Sequence, residues 1–176
     1  MPRLPYLDPN IQEPAALVAS IRARRGGELL NLDRMLLHSP ELAAGWNVLL
    51  GAVRKRFEVS SRLREIAICA VAVINRAEYE FIHHAPELLA AGGTQEQVDA
   101  LRHPDQALSD TKRFDETERD VIALTIDMTR DIQVRPGLVE RLNTRLGSQQ
   151  TVEIIATVAS YNMVSRLLVA LGVEPE

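Results

Sequence analysis

A single cysteine, Cys69, among 176 residues excludes an intrachain disulfide and any thiol chemistry that needs a resolving partner in the same chain. Cys69 falls inside the apolar run Ile66–Ile74, where a small buried hydrophobe is expected rather than a nucleophile. Aromatic residues are also scarce, at 4%. That argues against a sheet built on aromatic and β-branched pairs, whereas abundant Ala, Leu, Val, Ile and Arg favour packed helices. There is no cationic surplus: 20 Lys and Arg stand against 24 Asp and Glu, for a formal charge of −4. Nucleic acid is therefore not expected as the principal ligand, because phosphate contacts need concentrated positive charge. No segment approaches the ~20 apolar residues that span a bilayer, and the first residues hold no secretory apolar stretch. The expectation is a cytoplasmic protein with no membrane partner.

What is present is ordinary globular composition, 46% hydrophobic and 25% charged, in a length that suits one domain with one core. Helix punctuation is dense. Helices are expected over 13–25, ended by Gly26-Gly27, over 29–37, and from Pro40 towards Arg56 behind an N-cap at Ser39. Ser60 or Ser61 caps a fourth, which is apolar all round, so it lies either at the domain centre or under a partner subunit. A fifth starts near Ala77 or Glu78 with Pro86 inside it, and Thr94-Gln95-Glu96-Gln97 is a capping box for a short sixth. Residues 102–113 read as a loop. Asp115-Glu116-Thr117-Glu118 opens another helix, Pro136 opens one that stops at Gly147, and Ser148 starts the last, which closes at Gly172. The expected organisation is a single all-α domain with an N-terminal helical extension (1–39), a motif-bearing core (40–101) and C-terminal helices (114–172).

Chemistry concentrates in Ala77-Glu78-Tyr79-Glu80-Phe81-Ile82-His83-His84, directly after the apolar run. On a helix Glu80 and His84 share a face one turn apart, where a carboxylate and an imidazole can share a proton. A second arrangement sets Glu65, on the preceding helix, against His84, fixing the tautomer and leaving His84 as acid or base. The plain alternative is an exposed ion pair. Glu80-Phe81-Ile82-His83 also has the Glu-x-x-His spacing of di-iron bundles, but no second copy exists and no metal is expected. The basic clusters at Arg22–Arg25 and Arg54–Arg56 read as solvated helix ends complementing the helix dipole, with attraction of an anionic small molecule as the lesser reading. Arg64, Arg76 and Arg135 could each neutralise a substrate carboxylate, and spacing selects none of them.

Glu65, Ala77, Glu80 and His84, at intervals of twelve, three and four residues, resemble the pattern of the carboxymuconolactone decarboxylase and alkylhydroperoxidase D superfamily. Redox members carry Glu, then Cys-x-x-Cys, then His at those intervals. The likeness covers about residues 40–101, and Tyr161-Asn162-Met163-Val164 in the last helix is also similar. Both redox cysteines are replaced, by Ala77 and Glu80. Asn75-Arg76 followed by Glu80-Phe81-x-x-His84 resembles the decarboxylase branch, whereas Glu65 looks more like the redox branch. The resemblance implies an alkylhydroperoxidase D-like helical bundle with additional N-terminal helices, assembling as a homo-trimer or homo-hexamer. It implies cofactor-free acid-base chemistry on a small carboxylated or lactone-like molecule. His84 would donate the proton, Glu65 would orient it, Glu80 would be a second acid-base or positioning group, and Tyr79 and His83 would contact substrate. Two alternatives stand beside this: a peroxiredoxin-like reductase using Cys69, and a non-catalytic oligomeric binding protein of the same fold.

Overall fold

The computed structural model describes residues 1–176 and contains nine α-helices and no strand. They are α1 (Ala15–Arg25), α2 (Asn31–Leu36), α3 (Pro40–Lys55), α4 (Ser61–Ile74), α5 (Glu78–Ala90), α6 (Gln95–Ala100), α7 (Pro104–Ala107), α8 (Glu116–Arg130) and α9 (Leu138–Leu171). The local signals act as their chemistry requires. Ser60 Oγ accepts from the Leu63 amide, and the reciprocal boxes Thr94/Gln97 and Asp115/Glu118 are both made. The expected loop over 102–113 is interrupted by α7, a single turn started by Pro104. The two helices expected on either side of Gly147 run on as α9 through a kink, where Gly147 has φ 78° and ψ 166°, and the first begins at Leu138 behind Gly137 rather than at Pro136.

α4 is the centre of the molecule. It packs against α5, α8 and α9, and every residue from Ile66 to Ala72 is buried. Each large side chain in that run contributes about 1.5–3 kcal/mol by leaving water. The protomer itself covers all sides of α4, so its all-round apolarity calls for no partner subunit. α1 and α2 pack on α3, which in turn meets α9. Buried Asp33 ties this layer together: its carboxylate accepts from Arg24 Nη2 at 3.1 Å, Arg25 Nε at 2.9 Å and the Leu30 amide at 3.1 Å. This fixes the end of α1 beside the start of α2.

The membrane expectation needs one correction. α9 contains an 18-residue window of mean hydropathy 1.6, long and apolar enough by length and composition to cross a bilayer. Half of that window is buried in the fold, with Val158 and Tyr161 fully enclosed, so its apolarity is that of a core helix.

Candidate active site

α4 and α5 pack against each other, and the second turn of α4 meets the second turn of α5. There His84 Nδ1 donates to Glu65 Oε2 at 2.6 Å, and both residues are buried. Since the carboxylate only accepts, Nδ1 carries the ring proton and Nε2 is left with its lone pair. Nε2 accepts from the Tyr161 hydroxyl at 3.2 Å, and the Tyr161 oxygen accepts from Arg54 Nε at 2.7 Å. The result is a directional chain in which Arg54 donates to Tyr161, Tyr161 to His84, and His84 to Glu65. Glu65 Oε1 also accepts from Arg64 Nε at 3.3 Å. The four linked residues come from α3, α9, α5 and α4, so the chain crosses the whole bundle.

Burial sets the protonation states. Desolvation pushes the His84 imidazole below its usual value, against the opposing pull of Glu65, so the ring is neutral near pH 7. Desolvation likewise drives the Tyr161 phenol up to about 12, with Arg54 acting the other way. Desolvation opposes the charge of the Arg54 guanidinium, but Tyr161 and Glu65 outweigh it and hold the group above its ordinary value.

Glu80 departs from expectation. It does not pair with His84: both its carboxyl oxygens are buried and neither has a hydrogen-bond partner. The side chain is 2% exposed, and desolvation raises its carboxyl well above the usual carboxylate range, with Arg54 pulling only partly back. An ionised carboxylate without partners would be very costly there, so Glu80 is a neutral acid.

These groups surround a cavity of about 300 Å³. Glu65, Glu80 and His84 form one part of its lining, with Tyr79 and His83 beside them on α5. Five cations also line it: Arg24 and Arg25 from α1, Arg54 and Lys55 from α3, and Arg64 from α4. Against Glu65, Glu80 and Glu87 this is a positive enclosure, and the neutrality of Glu80 makes it more so. Arg54 was expected at a solvated helix end; it is instead half-buried inside the chain, because α9 brings Tyr161 over the end of α3. The remaining basic candidates separate clearly. Arg64 reaches the cavity, Arg135 is occupied with Asp127 away from it, and Arg76 is exposed in the α4–α5 connection at φ 57°.

Tyr79 and His83 are where the sequence placed them, but their polar ends are engaged with Glu176 rather than pointed at empty space. Because His83 is turned to Glu176 and Glu80 is unpartnered, the Glu-x-x-His spacing does not converge on a common point. No group of three His, Cys, Asp or Glu side chains is placed to hold a metal ion. Cys69 lies fully buried on α4, outside the cavity lining, and desolvation pushes its thiol far up, away from thiolate. Two members of the hydrogen-bonded chain were not singled out from the sequence. Arg54 was masked by its basic neighbours, and Tyr161 had only its place in the similar last-helix segment to mark it.

Residues 40–115 match the carboxymuconolactone decarboxylase family. Over that stretch, less than half of the chain, the sequence is similar to this family, in agreement with the Glu65 and His84 spacing. No curated protein matches it. Solved structures share the whole fold at low identity. An uncharacterized peroxidase-related protein from Silicibacter sp. superposes with a TM-score of 0.80 at 18% identity, over 99% of this chain and 90% of that one. An alkylhydroperoxidase-core, peroxidase-related protein from Ralstonia eutropha gives 0.79 at 16% identity, over 99% and 92%. A debrominase, solved as a cysteine-to-alanine variant in complex with 2,3,4-tribromopyrrole, gives 0.81 at 16% identity, over 100% and 94%. The alkylhydroperoxidase D-like helical fold thus extends through the N-terminal helices, beyond the segment that the family match covers. Enzymes with more than one chemistry share this fold.

Proposed function

We propose that this protein is a member of the superfamily it resembles, a cofactor-free enzyme that removes a carboxyl group from a small, carboxylated, lactone-like acid. The observation that carries the reading is Glu80: a buried, neutral, unpartnered carboxylic acid beside Arg54 in a cation-lined cavity. Decarboxylation cleaves the bond to the carboxylate carbon, releases CO2 and leaves an electron pair that flows into a conjugated carbonyl. A proton must then arrive at carbon. Glu80 holds a proton with no competing acceptor in the protein, and Arg54 stabilises the carboxylate that its transfer creates. His84, neutral and locked in one tautomer by Glu65, is the second acid-base group. The cationic lining draws the acid in and holds its departing carboxylate. Cys69 offers no thiolate to the cavity, which leaves the peroxide-reductase alternative without a nucleophile.

The test is CO2 release from a panel of unsaturated lactone acids by the wild type and by His84→Gln and Glu80→Gln. Turnover by the wild type that falls at least about a hundredfold in both variants supports the assignment. Equal rates in all three proteins would sink it. Self-assembly into a trimer or hexamer belongs to the same reading, supported by exposed apolar side chains such as Leu42 and Val48 on α3 and Val152 and Met163 on α9; mass measurement in solution checks it.

A further inference from the structure

Two rings of the cavity wall, Tyr79 and His83, are capped by a carboxylate from the end of the fold, Glu176. Glu176 Oε2 accepts from His83 Nε2 at 2.9 Å, and Glu176 Oε1 accepts from the Tyr79 hydroxyl at 3.3 Å and from the Asn31 amide at 2.6 Å. The other nitrogen of His83, Nδ1, faces the Tyr79 carbonyl oxygen at 2.7 Å. Both ring nitrogens therefore face oxygen atoms, a carboxylate on one side and a backbone carbonyl on the other. Stacking on Tyr79, with centroids 4.2 Å apart and 25° between planes, fixes the direction in which it points.

We propose that His83 and Tyr79 form a carboxylate-binding subsite on the wall of the cavity, and that Glu176 is an internal stand-in which the carboxylate of a small organic acid displaces. Both rings line the cavity, and they alternate along α5 with Glu80 and His84, which line it too. The second observation is Glu80 on the same wall, whose two buried oxygens have no hydrogen-bond partner in the protein. Val173 anchors the segment after α9 in the core, whereas residues 174–176 are exposed and held by surface contacts: the Glu174 amide donates to the Tyr6 hydroxyl, Asn31 Nδ2 donates to the Glu174 carbonyl, and the Glu174 carboxylate meets the Met1 ammonium. The inference names an anchor for the substrate class proposed above and rests on that reading only for which acid is turned over.

Glutarate is a suitable probe, since one end reproduces the Glu176 side chain and the other supplies a second carboxylate. Titrating isotope-labelled protein at constant ionic strength, followed by NMR at the His83 ring and at the amides of residues 174 and 176, reads both occupant and competitor. Glu176→Ala is expected to bind glutarate about tenfold more tightly than the wild type, because the competing occupant is gone. In the wild type, bound glutarate is expected to move the 174 and 176 amides towards free-chain positions. Adding His83→Gln to Glu176→Ala is expected to reverse the gain with the helical content unchanged. Equal affinity in the wild type and Glu176→Ala, or binding that leaves the His83 ring signals in place, overturns the subsite. Tighter binding by Glu176→Ala without turnover of any lactone acid keeps the subsite and removes the reaction.

Discussion

Tyr161 stands edge-on to His84, ring centroids 5.0 Å apart and planes at 90°, with its hydroxyl 3.2 Å from Nε2. The phenol fills the acceptor position of the imidazole and receives the Arg54 proton on the same oxygen. His84 is thereby bracketed, with Glu65 on one nitrogen and Tyr161 on the other. Its orientation is fixed by two helices other than its own.

Removing the phenol alone should separate positioning from chemistry. Tyr161→Phe keeps the ring but leaves Arg54 Nε and His84 Nε2 without partners in a buried setting. A loss of about 1–3 kcal/mol in denaturant unfolding is expected. Turnover should fall about tenfold, less than in His84→Gln, because Glu65 still selects the tautomer. Unfolding curves and kcat on the same protein check both parts.

Glu80 predicts a pH signature. Its carboxyl is raised in the folded protein, so between the ordinary carboxylate value and the raised one the folded state binds the extra proton. Stability then falls as pH rises through that window, by about 1.4 kcal/mol per pH unit. Glu80→Gln imitates the protonated acid and removes that slope. The melting temperature of Glu80→Gln relative to the wild type should therefore climb between pH 5 and pH 8. A constant difference would show that Glu80 ionises freely.

His84 acts from the other side. Its value is lowered on folding, so the unfolded chain binds the extra proton between the folded value and the ordinary one. Stability is complete above pH 6.5 and declines as pH drops below it. His84→Gln should flatten the acid limb of the stability curve, as read by thermal unfolding from pH 7 down to pH 5.

Cys69 should behave as a core atom. With its thiol buried and pushed up, labelling by a thiol reagent is expected only through opening of the fold, and the labelling rate should follow denaturant dependence rather than thiol chemistry. Rapid labelling of the native protein would contradict the packing of α4.

The turn after α5 has little room. A Cβ on Gly93 would lie 2.7 Å from Leu88 Cγ and 2.8 Å from the Leu88 carbonyl oxygen, and the backbone oxygen cannot swing aside as a side chain can. Gly93→Ala is expected to cost about 1–3 kcal/mol, read as a lowered unfolding midpoint.

Much of the fold is legible locally. Ser60, the Thr94/Gln97 pair and the Asp115/Glu118 pair announce their helices because a capping bond joins residues three apart. The nine-residue apolar run announces a helix covered on all sides, and the packing of α5, α8 and α9 around it decides that the cover is the protomer itself. The Glu65–His84 bond was legible through the spacing shared with a known superfamily, and the structure makes it at 2.6 Å. Short-range hydrogen bonding and side-chain periodicity decide these features, and both are written in consecutive residues.

Tertiary structure alone decided the rest. Arg54 meets Tyr161 across 107 positions of chain, and Glu176 meets His83 across 93. Glu80, one turn from His84 in sequence, makes no hydrogen bond to it, and burial raises its carboxyl well above the usual range. No local rule distinguishes such a carboxyl from a solvated one, because its charge depends on which helices exclude water from it. That exclusion is a property of how α3, α4, α5 and α9 pack together, and it exists only once they do.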